Sequence, residues 1–178
     1  MIRVIRGNVL VLLVLRYDLN PMTPDLKLMA KAIQLSRESM NSLQGGPFAA
    51  IIVKDGEIIS EGTNSVTAWN DPTAHAEIVA IRRACTKLET FQLTGCDIYS
   101  TCEPCPMCLG AIYWARPRAL YFAAERSDAA QAGFDDRFIY EQLVLPHPER
   151  RLPTIQTMRE EAARVLQEWV SKPDKREY

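Results

Sequence analysis

Histidine is scarce in this 178-residue chain, with two in all, and net charge is nearly absent at −1, with an estimated pI of 6.2. The lack of a basic excess argues against a long nucleic-acid partner, because a phosphate backbone is held mainly by clustered lysine and arginine. A membrane-length apolar run is missing too. The run at residues 9–15 is far below the roughly 20 apolar residues that a membrane helix needs. It follows Arg3 and Arg6, as a signal-peptide core would, yet no small-residue cleavage site comes after it; Arg16-Tyr17-Asp18 does. Internal repeats and low-complexity tracts are absent. So is an even set of cysteines. There are five, and those at 102, 105 and 108 stand too close together for a secreted disulfide framework. What remains is one globular domain, expected in a reducing, cytoplasmic compartment and not in a membrane.

The expected organisation has three parts. Residues 1–22 read as an N-terminal extension outside the catalytic domain, with Met22 a candidate initiator. Residues 23–157 form the domain, and residues 158–178 a C-terminal helix and tail. Within the domain, Thr23 and Pro24 suit the N-cap and first position of a helix running to about Ser42, with Leu26, Met29, Ala30, Ile33 and Met40 at helical spacing. Residues 44–47 break it. Residues 48–54 are near-continuously apolar, as in a strand buried on both faces. Asp55-Gly56 is a hairpin turn, and residues 57–61 return as the partner strand. After a loop at 62–73, a second helix is expected over about 74–88, burying Ile78, Ile81, Cys85 and Leu88. Strands at 98–101 and 119–124 flank a helix ending near Ala115, a βαβ pattern with parallel pairing. Residues 125–157 carry no readable period. A last helix over about 158–170 puts Ala162, Val165, Leu166 and Trp169 on one face. The sum is an α/β fold, a three-layer α/β/α sandwich on a mixed sheet with an antiparallel first hairpin.

The chemistry starts at Thr101-Cys102-Glu103-Pro104-Cys105-Pro106-Met107-Cys108. Pro106 suits the first position of a helix, which makes Cys105 the N-cap and Cys108 the third helical residue. Side chains at those two positions meet, as in a capping box, over a helix N-terminus that favours thiolates. Two thiolates are half of a zinc site. His147 lies between two prolines and is given no role. His75, in Thr73-Ala74-His75-Ala76-Glu77, stands at the start of the second helix. One imidazole and two thiolates give zinc three protein ligands and leave a fourth position open to water, the arrangement of catalytic zinc. Zinc lowers the pKa of such a water to about 7. Glu77, beside His75, is placed to act as general base and then general acid. A structural site would want a fourth Cys or His, and Cys102 is the residue to supply it; a redox cysteine pair is the other alternative. Cys102 is expected behind the site, off the metal. Cys85 and Cys96 read as core thiols, and Glu103 as a partner for the helix N-terminus.

His75-Ala76-Glu77 with Pro104-Cys105-Pro106-Met107-Cys108 matches the H-x-E…P-C-x-x-C signature of zinc deaminases. From about Gly45 to Asp136 the chain resembles the cytidine deaminase-like zinc-dependent superfamily, and most nearly its bacterial guanine deaminases. The further matching stretches are Gly-Gly-Pro-Phe at 45–48, Asn-Asp-Pro-Thr at 70–73, Ala-Gly-Phe-Asp-Asp at 132–136 and the terminal Glu177-Tyr178. The zinc motifs belong to the whole superfamily; Phe-Asp-Asp and the terminal tyrosine point to guanine.

The resemblance implies one catalytic zinc per subunit and hydrolysis of guanine at C2 to xanthine and ammonia. It implies that Asn64 hydrogen-bonds the purine and that Phe48 lies against its ring. Asp136 contacts the exocyclic amine and assists proton transfer, although Asp135 competes for that place. Tyr178 closes the pocket, in its own subunit or the partner's. It further implies a homodimer in which the C-terminal segment is exchanged. Read without the resemblance, Asn64 is a turn residue, Phe48 core, the aspartates surface charge or caps, and Tyr178 the end of a polar tail. The rivals are a tRNA adenosine deaminase, another small-base or nucleoside deaminase, and a structural-zinc scaffold. The first wants a basic C-terminal face, whereas Asp174 and Glu177 offset Lys172, Lys175 and Arg176 here. The last has no use for Glu77.

Overall fold

The computed structural model describes residues 23–177; the expected N-terminal extension and Tyr178 lie outside the described residues. Four strands form one mixed sheet in the order β2-β1-β3-β4. Strands β1 (Ala49–Lys54) and β2 (Glu57–Thr63) make an antiparallel hairpin. Asp55 and Gly56 take positive φ at its turn, as a two-residue hairpin of this hand requires. Strand β1 also runs antiparallel to β3 (Cys96–Cys102), while β3 and β4 (Ala119–Ala124) are parallel. The connection between those two is α4 (Pro106–Ala115), so the βαβ unit stands where the sequence pattern puts it.

Both faces of the sheet are covered, which is why β1 and β3 are buried along nearly their whole length. Helix α1 (Leu26–Asn41) packs on the face formed by Ile51, Val53 and Tyr99. Helix α3 (Ala76–Lys87) and α4 cover Ala50, Ile52 and Ile98 on the other. Full burial of Ile51 and of Ile52 contributes about 1.5–3 kcal/mol each. Two sequence expectations need correcting in α1. Its N-cap is Asp25, whose side chain accepts from the Lys27 N–H at 2.8 Å, and not Thr23. Its buried face is Ala32, Ser36 and Ser39, while Leu26, Ile33 and Met40 face outward. Small residues let the helix lie close on the strands, with Leu28, Met29 and Leu35 packing at the edges of that face; of the apolar residues expected at helical spacing, Met29 alone packs on this core cluster.

The loop at 62–73 contains a short helix α2 (Val66–Trp69), and the unread region contains α5 (Arg126–Gln131) and α6 (Arg137–Leu143). Helix α7 (Arg159–Ser171) forms where the period places it, but Val165, Leu166 and Val170 on its apolar side are exposed.

Candidate active site

Two helix N-termini converge at one end of the sheet. His75 is the N-cap of α3 and Cys105 the N-cap of α4, each in extended backbone conformation. The approach to His75 is built by Asp71. Its carboxylate accepts from the Thr73 N–H at 2.8 Å and the Thr73 hydroxyl at 2.7 Å, and its carbonyl accepts from Ala74 N–H. These bonds hold the Asp71 carboxyl below its ordinary pKa range. Helix α3 then lies directly on β2. A Cβ on Gly62 would stand 2.2 Å from the Ala76 carbonyl oxygen, so only glycine permits that approach. On α4, Pro106 occupies the first helical position, and Cys108 is fully buried.

His75 Nδ1 lies 3.6 Å from Cys105 Sγ and 3.5 Å from Cys108 Sγ. Zinc bonded to sulfur at about 2.3 Å and to nitrogen at about 2.0–2.1 Å, with tetrahedral angles, sets that N···S edge at about 3.6 Å. All three ligand atoms lie within 4.8 Å of one another, so the donor set fits zinc in both geometry and chemistry. Cys102 is not in the set. Its thiol points to the Glu125 carbonyl at 3.7 Å, and burial raises its pKa to about 11, which keeps it protonated. Among the described residues no fourth Cys, His or carboxylate joins the three, and this leaves a coordination position open. Cys105 is the thiolate of the pair. Hydrogen bonds from Cys108 and His75 bring it down to about 4, against the opposing effect of burial. Cys108, which gives its proton toward Cys105 and is more deeply buried, is pushed up. His75 is raised, first by its hydrogen bond to Cys105.

Glu77 is 7% exposed, and burial raises its carboxyl pKa. Its Oε1 accepts from the Ser100 hydroxyl at 3.2 Å. A cavity of about 110 Å³ opens beside it, lined by Phe48, Asn64, Phe134 and Asp136 together with His75 and Cys105. Phe48 and Phe134 meet edge to face, with ring centroids 4.9 Å apart. Asn64 Oδ1 faces the N–H groups of Gly46 and Val66, at 3.4 Å each, which leaves its amide NH₂ as the donor available to a ligand. A Cβ on Gly45 would stand 2.0 Å from the Asn64 carbonyl oxygen, so that strand end too needs glycine. Of the two aspartates, Asp135 is occupied with the Arg137 N–H at 2.9 Å and its guanidinium, whereas Asp136 lines the cavity. Burial, then the Cys105 charge, raises the Asp136 carboxyl.

Of the residues expected at the site, all but Tyr178 are thus brought together; Tyr178 lies outside the described residues. Phe134, Ser100 and Arg126, the last of which also lines the cavity, went unassigned in the sequence. The Phe-Asp-Asp stretch was a signal for Phe134, and nothing local signalled the other two. Glu103 also differs from expectation. Its carboxylate accepts from the Arg126 N–H at 3.3 Å, at the start of α5 and not α4.

An open three-ligand metal site at paired helix N-termini, with a buried carboxylate beside it, on this mixed sheet, defines a zinc hydrolase of the deaminase class. Residues 22–124 match the family described as the cytidine and deoxycytidylate deaminase zinc-binding region, and the chain belongs to it. Within that class it falls with the guanine deaminases. It is 55% identical to the guanine deaminase of Bacillus subtilis over 148 residues, 83% of this chain and 95% of that protein. The X-ray structure of a guanine deaminase from the same organism superposes with a TM-score of 0.85 at 52% identity, covering 88% of this chain and 99% of that one. The tRNA-specific adenosine deaminase of Aquifex aeolicus is 49% identical over 90 residues, but the match spans 49% of this chain and 60% of that protein.

Proposed function

We propose that the chain hydrolyses guanine at C2, releasing xanthine and ammonia. The observation that carries hydrolytic deamination is Glu77, buried in the same cavity as a three-ligand zinc site with a free position, and the 55% identity to a guanine deaminase over 95% of its length supports guanine as the base. When bound by His75, Cys105 and Cys108, zinc supplies a Lewis acid that brings the attacking water to a pKa of about 7. Glu77 would accept one proton of that water as its oxygen bonds to C2 and pass it to the ring nitrogen next to C2. It would then take the second proton, from the hydroxyl now on C2, and give it to the amine, so that the C–N bond breaks, ammonia leaves and the C2 carbonyl forms. Its raised pKa suits both roles, because it must hold a proton between the transfers. The Asn64 NH₂ meets an acceptor edge of the base. Guanine offers one in its 6-carbonyl where adenine carries an amine, so an oriented donor here discriminates between the two. Phe48 and Phe134 form the wall for the ring. Asp136 faces the amine and assists proton transfer.

The domain runs over residues 23–157, outside a separate extension at 1–22, and the segment 158–178 serves a homodimer by exchange, with Tyr178 closing one of the two pockets. In support, the apolar side of α7 finds no cover among the described residues: Leu166 is 68% and Val170 68% exposed. Sedimentation of the purified protein at micromolar concentration tests this; a monomer overturns it. The compartment is the cytoplasm, where reducing conditions keep ligand thiols available, in keeping with five free cysteines. No helix among the described residues is long and apolar enough to cross a membrane.

Ammonia release from guanine, adenine, cytosine, cytidine, guanosine and tRNA tests the substrate. Turnover of guanine alone, or far above the rest, is expected. Activity on tRNA with none on guanine favours the adenosine deaminase reading, which the shorter partial matches support.

A further inference from the structure

We propose that Ser100 is a positioning residue for Glu77, anchoring one carboxylate oxygen and thereby fixing where the other stands. The proposal rests on the deaminase reading above.

Ser100 lies near the end of β3, paired with Ala50 on one side and Phe122 on the other, and is 1% exposed. The side of this strand that looks toward α3 and α4 carries Cys96 and Ile98 in the core, then Ser100 level with the site. A hydroxyl buried at a central strand position costs stability unless it is hydrogen-bonded, and strand propensity favours a β-branched residue there. The hydroxyl meets Glu77 Oε1 at 3.2 Å, across 23 residues of sequence. That partner is what the serine is for.

The anchor acts against a competing pull. Glu77 is the second residue of α3, where the helix N-terminus draws a carboxylate back toward its own backbone N–H groups. A glutamate has three side-chain torsions, and at 7% exposure no solvent shell holds this one in place. Helix α3 fixes its Cα, and β3, an interior strand of the sheet, holds Oε1 through Ser100. Together they set the carboxylate plane. Without the hydroxyl, the group retains its position in the chain but loses its aim.

Steady-state kinetics and zinc analysis of Ser100→Ala and Ser100→Thr test this. For Ser100→Ala, kcat should fall about tenfold while KM stays within about twofold, the pattern of a misplaced catalytic group with intact binding. Zinc should remain at one per chain, and Ser100→Thr, which restores the hydroxyl, should regain most of the rate. An unchanged kcat, or a loss carried by KM alone, overturns the proposal. A second readout needs no substrate. In a melting-temperature cycle of Ser100→Ala, Glu77→Ala and the double variant, the two single shifts should fail to add; additive shifts overturn the contact. A wild-type chain inactive on guanine would refute the substrate reading, while the melting cycle would still decide the Ser100–Glu77 pairing.

Discussion

Gly62→Ala should damage stability and catalysis together, although the residue touches no part of the cavity. The added Cβ would stand 2.2 Å from the Ala76 carbonyl oxygen and 2.5 Å from the Ala80 N–H nitrogen. Ordinary contact at such pairs is about 3.5 Å, so the backbone of α3 must retreat by about 1 Å. It cannot do so locally, because the Ser60 hydroxyl binds the Ala80 carbonyl at 2.8 Å and Arg83 binds the Glu61 carbonyl at 2.8 Å, clamping the helix to β2. Overpacking costs about 1–3 kcal/mol, and backbone as the obstacle puts this case at the upper end. For a chain of this length that is a fall in Tm of roughly 5–10 °C. The same shift carries His75 and Glu77, at the start of α3, away from Cys105 and Cys108 on α4. A displacement of that size costs on the order of 100-fold in rate. Calorimetry, zinc analysis and guanine turnover on the purified variant read all three effects. An unchanged Tm with full turnover would refute the claim that close α3–β2 packing sets the ligand geometry.

Three further outcomes follow from the site. Glu77→Gln should keep its zinc and lose at least about 100-fold in kcat, as measured by ammonia release, because an amide takes up no proton. Cys102→Ser should keep one zinc per chain by metal analysis and most of its activity, since the Cys102 thiol faces Glu125 and not the ligand set. Zinc binding to metal-free protein at neutral pH should release at least one proton, read by calorimetry in buffers of different ionisation heat. Cys105, at about 4, is already a thiolate, whereas Cys108 is raised and must give up its proton to the metal.

The metal half of the site was legible because it is written in local rules. Pro106 after Cys105 dictates a helix start, and the observed α4 and β4 begin and end where the sequence pattern sets them. His75 needs only a cap position, which the Asn-Asp-Pro-Thr loop prepares. The substrate wall was readable only through family resemblance. Phe134 and Asp136 come from a stretch of short helices with no hydrophobic period, and they reach the cavity through tertiary packing. Ser100 and the true role of Glu103 depend on partners 23 residues away, which spacing does not encode. The inner face of α1 was legible only at Met29, for a related reason. Ala32, Ser36 and Ser39 are buried for their small size, which hydrophobic patterning does not weigh.

The most direct test of the account is to incubate the zinc-loaded chain with guanine in ¹⁸O-labelled water and analyse the product by mass spectrometry. Xanthine carrying one labelled oxygen at C2, with one ammonia released per molecule, is the predicted result. No xanthine from guanine, or xanthine formed equally well by Glu77→Gln, would contradict it.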